Sequence, residues 1–189
     1  WSNVNWGTEN QVEWECSINL AATDNQKVWA GLKLTNDQLP QTDADQAYFY
    51  YASDATNGQA LSSFTPWYFI QSVNGTDYLT NTGVTVAAST NYHLKISIDS
   101  DRKPSIFING VQYSATTTAA TTFDGSTEVT GTTQATIAES YSATNANTQK
   151  GPAMKNDVDL IPYIGIENGA AAAEALNVHY TAISRHVFE

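Results

Sequence analysis

The most regular stretch of the chain is Gln11–Leu20, where Val12, Trp14, Cys16, Ile18 and Leu20 alternate with Glu13, Glu15, Ser17 and Asn19. A period of two sends apolar side chains to one face and polar ones to the other, which predicts a half-buried strand. Val28–Thr35 repeats the pattern, with Val28, Ala30, Leu32 and Leu34 directed inward and Trp29 and Lys33 outward, until Asn36-Asp37 and Pro40 break it. Ala47, Phe49 and Tyr51 alternate with Tyr48 and Tyr50 in a third predicted strand. Pro66–Val73 makes a fourth, which stops at Asn74-Gly75, with Trp67 and Tyr68 on opposite faces. Tyr92, Leu94, Ile96 and Ile98 then alternate with His93, Lys95, Ser97 and Asp99. A turn cluster, Ser100-Asp101-Arg102-Lys103-Pro104, leads to Ser105–Ile108, and Asn109-Gly110 leads to Val111-Gln112-Tyr113. Asn-Gly between alternating runs signals a tight hairpin, because both central residues take positive φ. Residues 92–113 are therefore expected to form three consecutive antiparallel strands.

The pattern then lapses. Ser114–Gln149 is dominated by Thr, Ala and Ser, lacks Lys and Arg, and holds few large apolar residues (Phe123, Val129, Ile137, Tyr141). A surface excursion over about 114–150 is expected, with one weak hairpin near Thr127–Ile137. After Gly151-Pro152, Val158, Leu160, Pro162, Ile164 and Ile166 alternate with Asp159, Ile161 and Tyr163. Pro162 belongs at an edge or bulge, since it cannot donate to the ladder. Ala170–Ala175 suits one helical turn, and Leu176–Ser184 closes the chain as a strand with Leu176, Val178 and Tyr180 on one face. Helical periodicity is otherwise nearly absent. About nine or more short strands divided by turn signals indicate an all-β fold, an antiparallel two-sheet β-sandwich, with residues 1–189 as a single domain.

Composition narrows the partners. Eight Lys and Arg stand against nineteen Asp and Glu, for a net charge of −11, and only 14% of residues are charged. Phosphate-bearing partners need cationic neutralisation, so neither nucleic acid nor an anionic membrane surface is expected. No apolar run approaches the ~20 residues of a membrane-spanning helix. The one cysteine, Cys16, rules out an intrachain disulfide framework or thiolate cluster and falls in line with Trp14 and Ile18 as a small buried hydrophobe. The chain opens on Trp1 without a basic, apolar leader, and is expected to be processed or a piece of a longer one.

The run Tyr92-His93-Leu94-Lys95-Ile96-Ser97-Ile98-Asp99, with Ile106-Phe107-Ile108-Asn109-Gly110-Val111, resembles the concanavalin A-like and laminin-G-like jelly rolls. Their strands often carry such an alternating run ending in Asp, a turn, and an apolar strand ending in Asn-Gly. Ile164-Gly165-Ile166, Leu176-Asn177-Val178-His179-Tyr180 and Ile183-Ser184-Arg185 are similar to the last two strands of that fold. The acidic, Thr/Asn-rich character with this Ile-Gly-Ile ending looks most like such domains in virion proteins of tailed phages. The resemblance implies a jelly roll acting as a virion structural, decoration or fibre domain. It also implies localisation to the extracellular particle after assembly in the host cytoplasm, where a lack of disulfides is no handicap. Implied partners are other virion proteins or further copies of itself, with host-surface glycan as an additional contact. The fold alone does not choose among lectins, hydrolases, lyases and virion proteins.

Catalytic chemistry finds little purchase. Glycosidases that retain configuration set two carboxyls ~5–5.5 Å apart. Glu13 and Glu15 share one strand face, but Ser17 and Asn19 end the row, so a solvated face is expected. Asp43/Asp45, Asp99/Asp101 and Asp157/Asp159 have the same spacing in turn-rich contexts and suit turn formation. His93 and His179 fall on polar sides of strands, His186 lies near the terminus, and no Gly-x-Ser-x-Gly elbow occurs. No catalytic residue is assigned, and the chain is expected not to be an enzyme. No cofactor is required, although hard oxygen ligands at Asn36, Asp37, Asp43 and Asp45 leave a calcium ion open. Outward aromatics are the stronger hint, since sugar rings stack on them. Trp29, Tyr48, Tyr50 and Trp67 are the candidate carbohydrate-binding residues; packing or assembly is the competing role for the same rings. Two alternatives stand beside the virion domain: a free lectin-like carbohydrate-binding module, and a divergent polysaccharide hydrolase or lyase built on Glu13/Glu15.

Overall fold

Strand β2 (Glu13–Leu20) alternates half-buried and buried residues without a break, as its sequence dictates. In the computed structural model, which describes residues 6–35, 43–53, 61, 63–117, 119, 138–139, 149–169 and 174–186, it is one of twelve strands. The others are β1 (Trp6–Gly7), β3 (Gln26–Lys33), β4 (Gln46–Ala52), β5 (Pro66–Val73), β6 (Thr76–Thr85), β7 (Asn91–Ile98), β8 (Pro104–Ile108), β9 (Val111–Tyr113), β10 (Ala138–Glu139), β11 (Asp159–Asn168) and β12 (Leu176–Ser184). One sheet runs β1-β11-β3-β4-β5-β6-β10 and the other β12-β2-β7-β8-β9. Neighbours are antiparallel throughout, except that β10 lies parallel to β6. The chain is thus an all-β two-sheet sandwich.

The inward sets of both sheets meet as predicted. Trp14, Cys16, Ile18 and Leu20 of β2, Val28, Ala30 and Leu32 of β3, and Leu94, Ile96 and Ile98 of β7 fill one core with Phe49, Trp67 and Phe69. Each large side chain removed from water in this way stabilises the fold by about 1.5–3 kcal/mol. The two Asn-Gly pairs take the left-handed geometry that tight hairpins need: Asn74 φ 51° and Gly75 φ 79°, Asn109 φ 52° and Gly110 φ 79°. The Asn109 side chain also accepts the backbone N–H of His93, which pins the β8–β9 turn to β7.

Four expectations need correction or completion. Strand β3 ends at Lys33, and Leu34, predicted inward, is exposed beyond it. A bulge in β12 between Val178 and Tyr180 reverses the alternation, so Val178 pairs with inward Ile18 while Tyr180 pairs with outward Ser17. Strand β6 carries no alternating signal, since three of its four buried positions are polar: beside Leu79 stand Thr80, which accepts the Thr116 N–H, Asn81, and Thr82, which donates to the Trp67 carbonyl. The roots of the long excursion are tied together, the Ala115 N–H donating to the Gln149 carbonyl. The weak hairpin near Thr127–Ile137 and residues 170–173 of the proposed helical turn lie outside the described residues.

Just past the excursion, Lys150 reaches back 2.6 Å to Asp99 in the β7–β8 turn. Asp99 also accepts the N–H groups of Asp101 and Lys103, both at 2.9 Å. Partial desolvation raises its pKa, but Lys150 and these donors outweigh it and hold the carboxyl below its ordinary value. Asp99→Asn is therefore expected to cost about 1–2 kcal/mol near neutral pH. A depressed folded pKa contributes stability above the unfolded value and loses it as pH falls through the folded value. Urea unfolding should show the gap between variant and parent closing as the pH is taken below the carboxylate range.

Candidate functional site

The outer face of the seven-stranded sheet carries three cross-strand rows. Strand register aligns Gly165, Trp29, Tyr50, Tyr68 and Asn81 in one row, and Tyr163, Gly31, Tyr48, Ile70 and Leu79 in the next. The third row is Ile161, Lys33, Gln46, Ser72 and Asp77. Two glycines give the rings room. A Cβ on Gly31 would sit 2.5 Å from both the Ala47 carbonyl oxygen and Tyr48 Cα, and one on Gly165 would overlap the Trp29 indole nitrogen. Trp29 leans over Gly165 and lies nearly parallel to Tyr163, with centroids 6.4 Å apart and planes 6° apart. Tyr48 and Tyr50 meet edge to face at 6.3 Å.

These rings are on the predicted side of the sheet, but they are not open. Trp29 is 5%, Tyr48 1% and Tyr50 6% exposed. With Ala52, Leu61, Tyr68, Ile70 and Leu79 they form a second apolar cluster, against which Phe64 and Tyr163 pack. Burial pushes the Tyr48 and Tyr50 hydroxyls above the usual tyrosine range, desolvation being the main cause. Tyr68 donates to the Ser63 carbonyl and accepts its N–H, which fixes that ring as well. Trp67 is on the other side: it is fully buried between the sheets, edge-on to Tyr51 at 5.9 Å and to Tyr92 at 5.7 Å. Of the four candidate glycan-binding residues, then, three sit together in a covered outer layer and one lies in the inter-sheet core. Placed so, none of them presents an open ring face to a sugar. Tyr163, Gly31 and Gly165 were not singled out as partners of these rings, because only strand register shows that they adjoin them.

The same face holds a buried charge. Lys33 is fully buried, with its Nζ 3.9 Å from Asp43 and 4.4 Å from the Tyr163 ring centroid. Asp43 accepts the backbone N–H groups of Leu34 and Thr35 at 3.0 and 2.9 Å and the Thr35 hydroxyl at 2.8 Å. Asp45 accepts the Asn74 N–H at 3.0 Å. The two described acids of the suggested calcium loop are thus engaged with protein donors, while Asn36 and Asp37 lie outside the described residues. Among the described residues, no three His, Cys, Asp or Glu side chains converge as metal ligands.

On the outer face of the five-stranded sheet, Glu13 accepts from Lys95 at 3.1 Å and from Ser97 at 3.0 Å, and Glu15 lies 3.2 Å from His93. Desolvation acts to raise the Glu13 pKa, but Lys95 and Ser97 outweigh it and keep the carboxyl below its ordinary range. A general acid needs the opposite shift. The groove beside these acids holds about 140 Å³ and is lined by Glu13, Glu15, Ala182, Ile183 and Ser184. Ligand pockets are typically ~300–1,000 Å³. Among the described residues no acid lines the groove from the β12 side, where Ala182, Ile183 and Ser184 supply only small or apolar side chains and a hydroxyl. His179 contacts Asn91, and the buried Cys16 thiol is pushed up to about 12, mainly by desolvation. A thiol in that state is a poor nucleophile. No protein-family model and no curated protein matches the chain.

Proposed function

We propose that this chain is a non-enzymatic structural domain of a virion, of the decoration or fibre kind suggested by its resemblance to jelly rolls of tailed phages. One observation supports a structural role above the others: the large sheet is packed on both faces, inward against its partner sheet and outward through the Trp29, Tyr48 and Tyr50 layer. Rings that would read a sugar in a lectin here add to stability. Two half-buried acids of the small sheet are held in ion pairs, Glu13 with Lys95 and Asp99 with Lys150. No cofactor is called for, and the partners are other virion proteins or further copies of the chain.

Two measurements test this. Peptides of the chain are expected as a stoichiometric component of density-purified particles from its source. In assays for reducing ends and unsaturated uronates on bacterial polysaccharides, no release above buffer is expected. Turnover abolished by Glu13→Gln would overturn the proposal in favour of a hydrolase or lyase. Glycan-array binding lost in a folded Trp29→Phe variant would replace it with the lectin-like module.

A further inference from the structure

Sandwiches expose sheet edges, and unpaired edge backbone is a template for another strand. Among the described residues the two sheets have four edges, and three are short: β1 and β10 have two residues each and β9 has three. The fourth, β12, has nine. Leu176–Ser184 contains no Pro, Lys, Arg, Asp or Glu, the residues that commonly protect an edge. Seven of its nine residues are exposed, and among the described residues no strand pairs with its outer side. Val178 and Tyr180, at 48% and 43%, are the most open large apolar side chains of the described residues. The bulge between them puts Val178 on the inner face and Tyr180 on the outer face, so both sides of the edge offer apolar surface. Leu176 and Ile183 lie only partly buried at the fringe of the main core, which places the open side of that core at this edge.

We infer that β12 is a homotypic interface, at which a second copy of the chain pairs antiparallel about a two-fold axis and extends the five-stranded sheet to ten strands. The occupant follows from charge. A two-fold pairing sets β12 against itself, and a strand with no formal charge meets no like charge there, although the chain as a whole carries −11. Glu13 and Glu15 on the neighbouring β2 would lie three strand spacings from their mates, roughly 14 Å, beyond the ~8–10 Å screening length. Glu13 is moreover paired with Lys95. A strand about 30 Å long buries an area at the lower end of specific interfaces, so a reversible dimer is the fitting form. The inference rests on the edge alone and stands whether or not the domain belongs to a virion.

Sedimentation velocity of the chain across about 1–500 µM is the test, with hydrogen exchange followed at both ends of that range. Expected are a concentration-dependent shift from monomer to dimer and, with it, slowed exchange of the Val178–Ile183 amides. Val178→Lys should abolish both while leaving the tryptophan near-UV signal unchanged. Tyr180→Lys, on the solvent side of the strand, does the same should Val178→Lys disturb the core. A monomer throughout, a dimer indifferent to both lysines, or protection appearing at another strand would each overturn the inference.

Discussion

Trp67→Ala is expected to lower the unfolding free energy by about 3–5 kcal/mol, the range for removing a large aromatic from a closed core. The indole is fully buried, touches Tyr51 and Tyr92 edge-on, and has Thr82 bonded to its own carbonyl, so the site has little freedom to collapse around the void. Whole domains hold only about 5–15 kcal/mol, and the variant should unfold at a much lower urea midpoint or fail to fold at ambient temperature. Trp67→Phe, which keeps an aromatic ring between the sheets, should recover more than half of the loss. Urea titration followed by near-UV circular dichroism distinguishes these outcomes. A midpoint unchanged by Trp67→Ala would mean that the ring is not in the core.

The contrast with Trp29 shows what alternation can and cannot say. A period of two assigns a side chain to a face, and it placed Trp29, Tyr48 and Tyr50 together and opposite Val28, Phe49 and Tyr51. It carries no information about whether that face is covered. Coverage depends on glycines at matched register, Gly31 beside Tyr48 and Gly165 beside Trp29, which let rings lie flat across neighbouring strands. Register is a long-range property, invisible until β11, β3 and β4 are paired. Trp67 and Tyr68 follow each other on opposite faces as the strand pattern requires, yet both faces are packed, so neither is a platform. Where side chains alternate in polarity the sequence was readable, as in β2 and β7. Where hydrogen bonds do the burying, as at Thr80 and Thr82 in β6, there was no apolar signal to find. The Glu13/Glu15 pair was likewise visible as a pair, but its partners, Lys95 and His93, come from the neighbouring strand.

Asp43→Ala is expected to destabilise the fold by about 3–5 kcal/mol, because it strips a nearby anion from a fully buried ammonium. It also deprives the Leu34 and Thr35 N–H groups and the Thr35 hydroxyl of the acceptor that ends β3. Lys33 was predicted outward and is on the outer face, but Tyr163 lies 4.4 Å from its ammonium and no part of it reaches solvent. Burying a charge is costly, and the cost is offset here by an anion that itself holds three donors, a geometry that removing either partner breaks. Lys33→Met keeps the volume of the stem and leaves Asp43 its three hydrogen bonds, so its cost should be smaller than that of Asp43→Ala. The double variant Lys33→Met/Asp43→Ala should be more stable than the sum of the single losses implies, since neither charge is then left alone. A thermodynamic cycle by urea unfolding measures that coupling. Strict additivity would show that the two charges do not depend on each other, and that the ammonium is held by other contacts on this face.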